Sequence, residues 1–195
     1  MEINWESQVL SSVSKVIPKL SCLEIDIDKL HEVAAELSED SFSINYEGNT
    51  NTVPKEYIRK TMLINTLNFV FTDFLTSVKY KIENYSDTDA MVYQIDKALD
   101  QGIPLTQGRF MRDMNLKEFK TLFTGNIVMP MADEKVKILN NVGDILVTKY
   151  GGDWINFIDD GPKKLYDNGK GLVERLVRDF KRFDDHSIFE NEKVY

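Results

Sequence analysis

Met131-Ala-Asp-Glu-Lys-Val-Lys-Ile-Leu-Asn-Asn-Val-Gly-Asp-Ile-Leu-Val-Thr-Lys-Tyr150 is the longest periodic run in the chain, bounded by Pro130 and by Gly151-Gly152. Val136, Leu139, Val142, Ile145 and Leu146 recur at intervals of three and four, which places them on one face of an α-helix. The glycine pair supplies the left-handed backbone that ends helices. Shorter runs of the same period lie on both sides. Trp5, Val9, Val13 and Val16 predict a helix from about Asn4 to Ile17, closed by Pro18. Asp26 or Asp28 caps a second, with a stripe of Leu30, Val33, Ala34 and Leu37. Pro54 opens a third, which carries Tyr57, Ile58, Met62 and Leu63 and ends between Asn65 and Asn68. Met91, Val92, Ile95 and Leu99 mark a fourth, ended by Gly102 and Pro104. Asn115-Leu-Lys-Glu118 has the spacing of a capping box. Asp153 suits the cap of a short helix bearing Trp154 and Phe157, and Gly171 to Phe183 reads as the last amphipathic helix.

The β component is small. Val78, Tyr80 and Ile82 alternate with Lys79, Lys81 and Glu83, which predicts a half-exposed strand over Ser77–Tyr85. Ile188 to Tyr195 reads as two short extended pieces around Glu190-Asn191. A two-stranded piece is marginal even when complete. The pattern therefore predicts that the chain is cut here, or is completed by another element or chain. The fold class is mainly α with a small β component (α+β), in one domain over residues 1–195. No composition break marks a linker, and Ser38 to Val53 reads as a long polar loop.

Composition excludes several function classes. Hydrophobic residues at 42% and aromatics at 11% of 195 residues are globular usage. The 24 basic and 32 acidic residues leave a net charge of -8, the wrong sign for broad nucleic-acid binding or for docking on anionic lipid. Cys22 is the single cysteine, so no intrachain disulfide forms and no cysteine-based zinc site is available. No apolar run is long enough to span a membrane, and the N-terminus lacks a basic n-region. Together these predict a cytoplasmic protein.

Few residues advertise chemistry. His31 and His186 are isolated, and Asp184-Asp185-His186-Ser187 is adjacency in sequence, whereas catalytic triads are assembled in space. Asp159-Asp160 and Asp184-Asp185 read as solvated pairs. Gly169-Lys170-Gly171 opens a helix but lacks the spacing of a phosphate-binding loop. The most informative segment is Asn65-Thr-Leu-Asn-Phe-Val-Phe-Thr-Asp73. Asparagine disfavours helix interiors, and amides beside aromatic rings suit a flat, hydrogen-bonding base. The competing reading sends Phe69, Phe71 and Phe74 into the core.

This segment resembles the Asp-Thr-Leu-Asn-Phe-x-Phe signature of the queuosine salvage proteins, the queuosine 5′-phosphate N-glycosylases. Lys97-Ala-Leu-Asp-Gln-Gly-Ile-Pro-Leu-Thr106 is similar to their Arg-Ala-Leu-Asp-Glu-Gly-Ile-Pro-Ile-Thr. Met129-Pro-Met, Glu134 and Ile138-Leu-Asn140 resemble Met-Pro-Leu-x-Glu-Glu-Arg-x-x-Ile-Leu-Asn. Lys149-Tyr-Gly-Gly152 is similar to a Lys-Phe-Gly-Gly turn, and Ile188-Phe-Glu with Lys193-Val resembles the start of a family strand. The similarities run in family order from about Leu23 to Tyr195.

The resemblance implies a helical fold akin to the helix-hairpin-helix DNA glycosylases. It implies hydrolysis of the N-glycosidic bond of queuosine 5′-monophosphate, which releases queuine for tRNA modification, with no metal or other cofactor. The substrate-binding candidates are Asn65, Asn68, Phe69 and Phe71. No residue here takes the catalytic role, because the family's catalytic aspartate, in an Asp-x-x-x-Pro context, falls beyond Tyr195. Asn65 stands where the signature has Asp, so any charge role there is lost. The alternative is a non-catalytic helical binding module, a truncated or split member that needs a C-terminal partner chain. A nucleic-acid glycosylase is a third reading, which the net charge opposes.

Overall fold

The computed structural model describes residues 5–21, 24, 26–36 and 53–194. Within them, helices α1 (Trp5–Val16), α2 (Ile27–Glu36) and α3 (Lys55–Leu67) come first, followed by a hairpin of β1 (Lys81–Ile82) and β2 (Tyr85–Ser86). Then come α4 (Asp87–Asp100), α5 (Gly108–Asp113), α6 (Leu116–Leu122), α7 (Ala132–Tyr150), α8 (Trp154–Asp159) and α9 (Leu172–Asp179). A second hairpin, β3 (Ser187–Phe189) and β4 (Glu192–Val194), follows. Both hairpins are antiparallel and separate. The mainly helical α+β class read from the sequence is the observed one.

Local chemistry sets several boundaries where the sequence places them. Asn115 Oδ1 accepts from the Glu118 amide at 3.0 Å, and Glu118 Oε2 accepts from the Asn115 amide at 3.2 Å. This reciprocal box starts α6, which delivers Phe119 and Phe123 to the core with ring centroids 4.6 Å apart. Asn115→Ala is therefore expected to cost ~1 kcal/mol in urea denaturation. Lys117→Ala, exposed in the same turn, is expected to stay within ~0.5 kcal/mol. Gly151 ends α7 at φ 60°. Asp153 accepts from the Ile155 amide at 2.9 Å and starts α8. Asp26 accepts from the Lys29 amide at 2.9 Å and starts α2.

The core lies around α7. Leu139, Val142 and Leu146 are buried there with Leu63 and Leu67 of α3, Met91 and Ile95 of α4, and Met111 of α5. An aromatic cluster of Trp154, Phe157 and Phe180 closes one end, with centroids 4.8–5.8 Å apart.

Four expectations are corrected or sharpened. The strand over Ser77–Tyr85 shrinks to Lys81–Ile82, because Ser77 (φ 59°) and Glu83 (φ 52°) turn the chain out of the extended region. Tyr80, fully buried, donates from its hydroxyl to the Phe123 carbonyl at 2.9 Å. The two extended pieces read at the C-terminal end pair with each other, through Ser187–Val194, Ile188–Lys193 and Phe189–Glu192. Glu190 and Asn191 both take positive φ, the backbone of a tight two-residue hairpin turn. Lys15 of α1 and Lys19 beyond it reach Glu192 and Glu190 at 3.4 and 3.0 Å. The stripe on α2 is not buried, since Ile27, Leu30 and Val33 remain 44–56% exposed. The Gly169–Gly171 helix start offers no open anion cradle. Glu174 Oε2 accepts from both the Gly171 and Asp167 amides at 2.8 Å.

The polar connection at 38–53 falls largely outside the described residues. No helix among the described residues is long and apolar enough to cross a membrane.

Candidate functional site

Two clefts of similar size lie at opposite ends of α3. At its N-terminal end a polar cleft of about 530 Å³ is lined by Arg59, Arg109 and Asp153 among others. Its central charges serve each other. Arg59 donates through Nε and Nη2 to the two Asp153 oxygens at 2.9 and 2.6 Å, and through Nη1 to Glu56 at 2.5 Å. The Arg59 guanidinium holds the Asp153 carboxyl below the usual carboxylate range. The same carboxylate caps α8, so it is a structural joint between α3 and α8.

The second cleft, about 540 Å³, sits at the C-terminal end of α3. It falls within the usual range for small-molecule sites, which combine apolar walls with a few placed polar groups. Asn65, Asn68, Phe69 and Val70 form one wall, Met131 and Ile138 a second. Arg182, Phe183 and Asp185 form the third.

Each wall has a local cause. Asn68 follows the last residue of α3, and its Oδ1 accepts from the Thr88 hydroxyl at 2.7 Å, which fixes its amide plane. Phe69 N donates back to Leu67 O at 2.8 Å, a tight turn. Val70 then takes φ 48° and Met131 takes φ 55°. A β-branched residue at positive φ is a genuine outlier, costing on the order of 1–3 kcal/mol, and such strain concentrates at functional sites. Phe183 is seated edge-on to Trp154 at 6.5 Å and 89°. Arg182 approaches Glu134 only to 3.9 Å, a surface pair worth little.

Beneath this turn lies Lys135 of α7, fully buried. Its Nζ donates to Leu67 O at 2.9 Å and also to Phe69 O. It stands 3.8 Å from the centroid of the Phe69 ring and 4.7 Å from that of Phe71. Burial pushes its ammonium down to about 7.

Of the four candidates read from the sequence, Asn65, Asn68 and Phe69 come together on the cleft. Phe71 does not line it. It is buried in the core beside Lys135, whose Nζ stands 4.7 Å from its ring, because the chain turns at Val70, φ 48°, between the two phenylalanines. Phe74, the third ring of the core reading, is 79% exposed. Of the two acid pairs, Asp159 bonds Lys163 at 2.5 Å on the surface. Asp184 pairs with Lys193 at 3.1 Å, while Asp185 reaches the cleft. His186 Nδ1 lies 2.8 Å from the Asp184 carbonyl.

Sequence reasoning missed Lys135, Met131, Arg182, Phe183 and Asp185. Lys135 alone left a signal: a basic residue amid the buried face of α7, where the family pattern has Arg.

A family model described as queuosine salvage protein matches residues 44–195. The queuosine 5′-phosphate N-glycosylase/hydrolase of Mus musculus is 28% identical over 138 residues, 68% of this chain and 40% of that protein. The protein of the same name from Bos taurus is 25% identical over 165 residues, 82% of this chain and 47% of its own length. That of Sphaerobacter thermophilus is 22% identical over 190 residues, 95% and 58%. The chain thus spans about half the length of the curated relatives it matches.

Proposed function

The chain belongs to the queuosine salvage protein family, and from that premise we propose that its second cleft holds queuosine 5′-phosphate, for hydrolysis of the N-glycosidic bond and release of queuine. One observation carries the reading. Asn65, Asn68 and Phe69 of the signature segment meet Phe183 and Arg182 around one cavity of about 540 Å³. The asparagine amides offer donors and acceptors to the edges of a heterocycle, and the two rings offer faces against which it stacks. Arg182 offers a forked donor suited to a phosphate.

In this reaction water attacks the sugar carbon as the bond to the base breaks and positive charge develops on the sugar. The residues of this chain bind and orient the nucleotide, which is where positioning lowers the barrier. None of them is assigned the carboxylate that assists the water. We extend the proposal to a fold akin to the helix-hairpin-helix glycosylases, to one domain over the whole chain, and to a cytoplasmic setting, which the single cysteine suits.

The test is calorimetric titration with queuosine 5′-phosphate, queuosine and guanosine 5′-phosphate, alongside an assay for free queuine. The phosphorylated nucleoside is expected to bind tightest. Asn68→Ala is expected to weaken it at least ~10-fold, the loss of about one well-made polar contact. Absence of binding by the full chain, alone and with a C-terminal partner, would sink the reading. A second reading is a binding module that keeps the scaffold without hydrolysis, and Asn65 in place of the signature aspartate favours it. Binding without queuine release, with or without that partner, is its outcome.

A further inference from the structure

We propose that Lys135 is a positioning residue, which holds the turn from Leu67 to Phe71 in the shape that presents Asn68 and Phe69 to the cleft. The last carbonyls of a helix have no intrahelical partner. Roughly a third to a half of helices meet this with a residue, usually glycine, in left-handed conformation. No glycine occurs between Gly48 and Gly102, so α3 ends by another route. Lys135 reaches across from the first turns of α7 and donates to the carbonyls of Leu67 and Phe69, one on either side of Asn68. A cation is also the favourable charge at a helix C-terminus. The same ammonium lies over the Phe69 ring at 3.8 Å and the Phe71 ring at 4.7 Å, which orients both by cation–π attraction.

The device explains how Val70 keeps a positive φ without glycine. The strained residue is flanked by two rings and a carbonyl that all converge on the buried Lys135 Nζ. Methionine, one atom shorter and apolar, would fill most of the same space and satisfy none of these groups. Lys135 touches the turn and lies behind the cleft wall, so it acts on a ligand only through Asn68 and Phe69.

This inference rests on the proposed reading for what the cleft binds, though not for how the turn is held. The experiment compares the full chain with its Lys135→Met and Lys135→Arg variants by hydrogen exchange and by titration with queuosine 5′-phosphate. In Lys135→Met, amides of residues 65–72 are expected to exchange at least 10-fold faster, while those of 138–150 are unchanged. Affinity for the nucleotide is expected to fall at least 10-fold. Lys135→Arg, which keeps a charge and several donors, is expected to recover most of both. Unchanged exchange over 65–72 in Lys135→Met overturns the proposal. Should that variant fail to fold, NMR of the wild-type chain decides. Slowly exchanging Nζ protons coupled to the Leu67 and Phe69 carbonyls support it, and their absence overturns it. Failure of the wild-type chain to bind the nucleotide would end the functional reading alone, since the exchange arm judges Lys135 by itself.

Discussion

Gly143→Leu is expected to remove at least ~3 kcal/mol of stability and to melt the contact between α5 and α7. A Cβ added to Gly143 would lie 2.3 Å from the Arg112 amide nitrogen, 2.6 Å from the Gly108 carbonyl oxygen and 2.8 Å from the Arg112 Cα. All three atoms are backbone, so no rotamer change relieves the overlap. α5 has to move as a body. It is pinned at its start, where Gly108 N donates to Gly152 O at 2.8 Å, and at its end, where Asn140 Nδ2 donates to Met111 O and Met114 O at 3.0 and 2.9 Å. Displacement breaks these bonds and opens the packing of buried Met111 against the core. The measurement is urea denaturation followed by far-UV circular dichroism. Asn141→Ala, exposed on the same helix, serves as the control and is expected to stay within ~0.5 kcal/mol. A Gly143→Leu midpoint equal to wild type would show that the helices do not cross in backbone contact.

The stability of the chain relative to Lys135→Met is expected to rise by on the order of 3 kcal/mol between pH 7 and pH 9.5. The sign follows from proton counting. Unfolded, Lys135 keeps its ordinary value near 10.4. Folded, desolvation lowers it to about 7. Between those values the unfolded chain holds the extra proton, so stability climbs with pH, by at most ~1.4 kcal/mol per pH unit. Below pH 6 both states are protonated and the difference is flat. The methionine variant has no such group, so subtracting its profile cancels the other titrations. Parallel profiles from pH 6 to 10 would mean that Lys135 reaches water in the folded state.

Reading the cleft from the sequence succeeds in part, for a definable reason. Asn65, Asn68 and Phe69 are legible because they stand together in one segment, where two amides and two rings interrupt a helical pattern. Phe71 shares that segment and faces the other way. Its neighbours in the chain do not reveal that α7 passes behind it. Lys135 lies 66 residues from Phe69, and no spacing rule links a lysine to a carbonyl at that remove. Arg182 and Asp185 look like solvated charges until the aromatic seat of Phe183 brings their turn against α3.

What the sequence by itself determined is therefore local. It determined the helices other than the short α5, the reciprocal cap at Asn115, the glycine stop at Gly151 and the cap at Asp153. Those depend on hydrogen bonds within a few residues and on a period of 3.6. It also determined the family, because ordered short matches survive without coordinates. Tertiary structure alone decided which side chains share a cavity, which carboxylate is tied to an arginine, and which lysine is stripped of water. Each of these is a property of neighbours supplied by packing. Desolvation in particular is set by the whole surrounding shell, which is why a lysine in an ordinary helical repeat ends beneath the turn at the heart of the cleft.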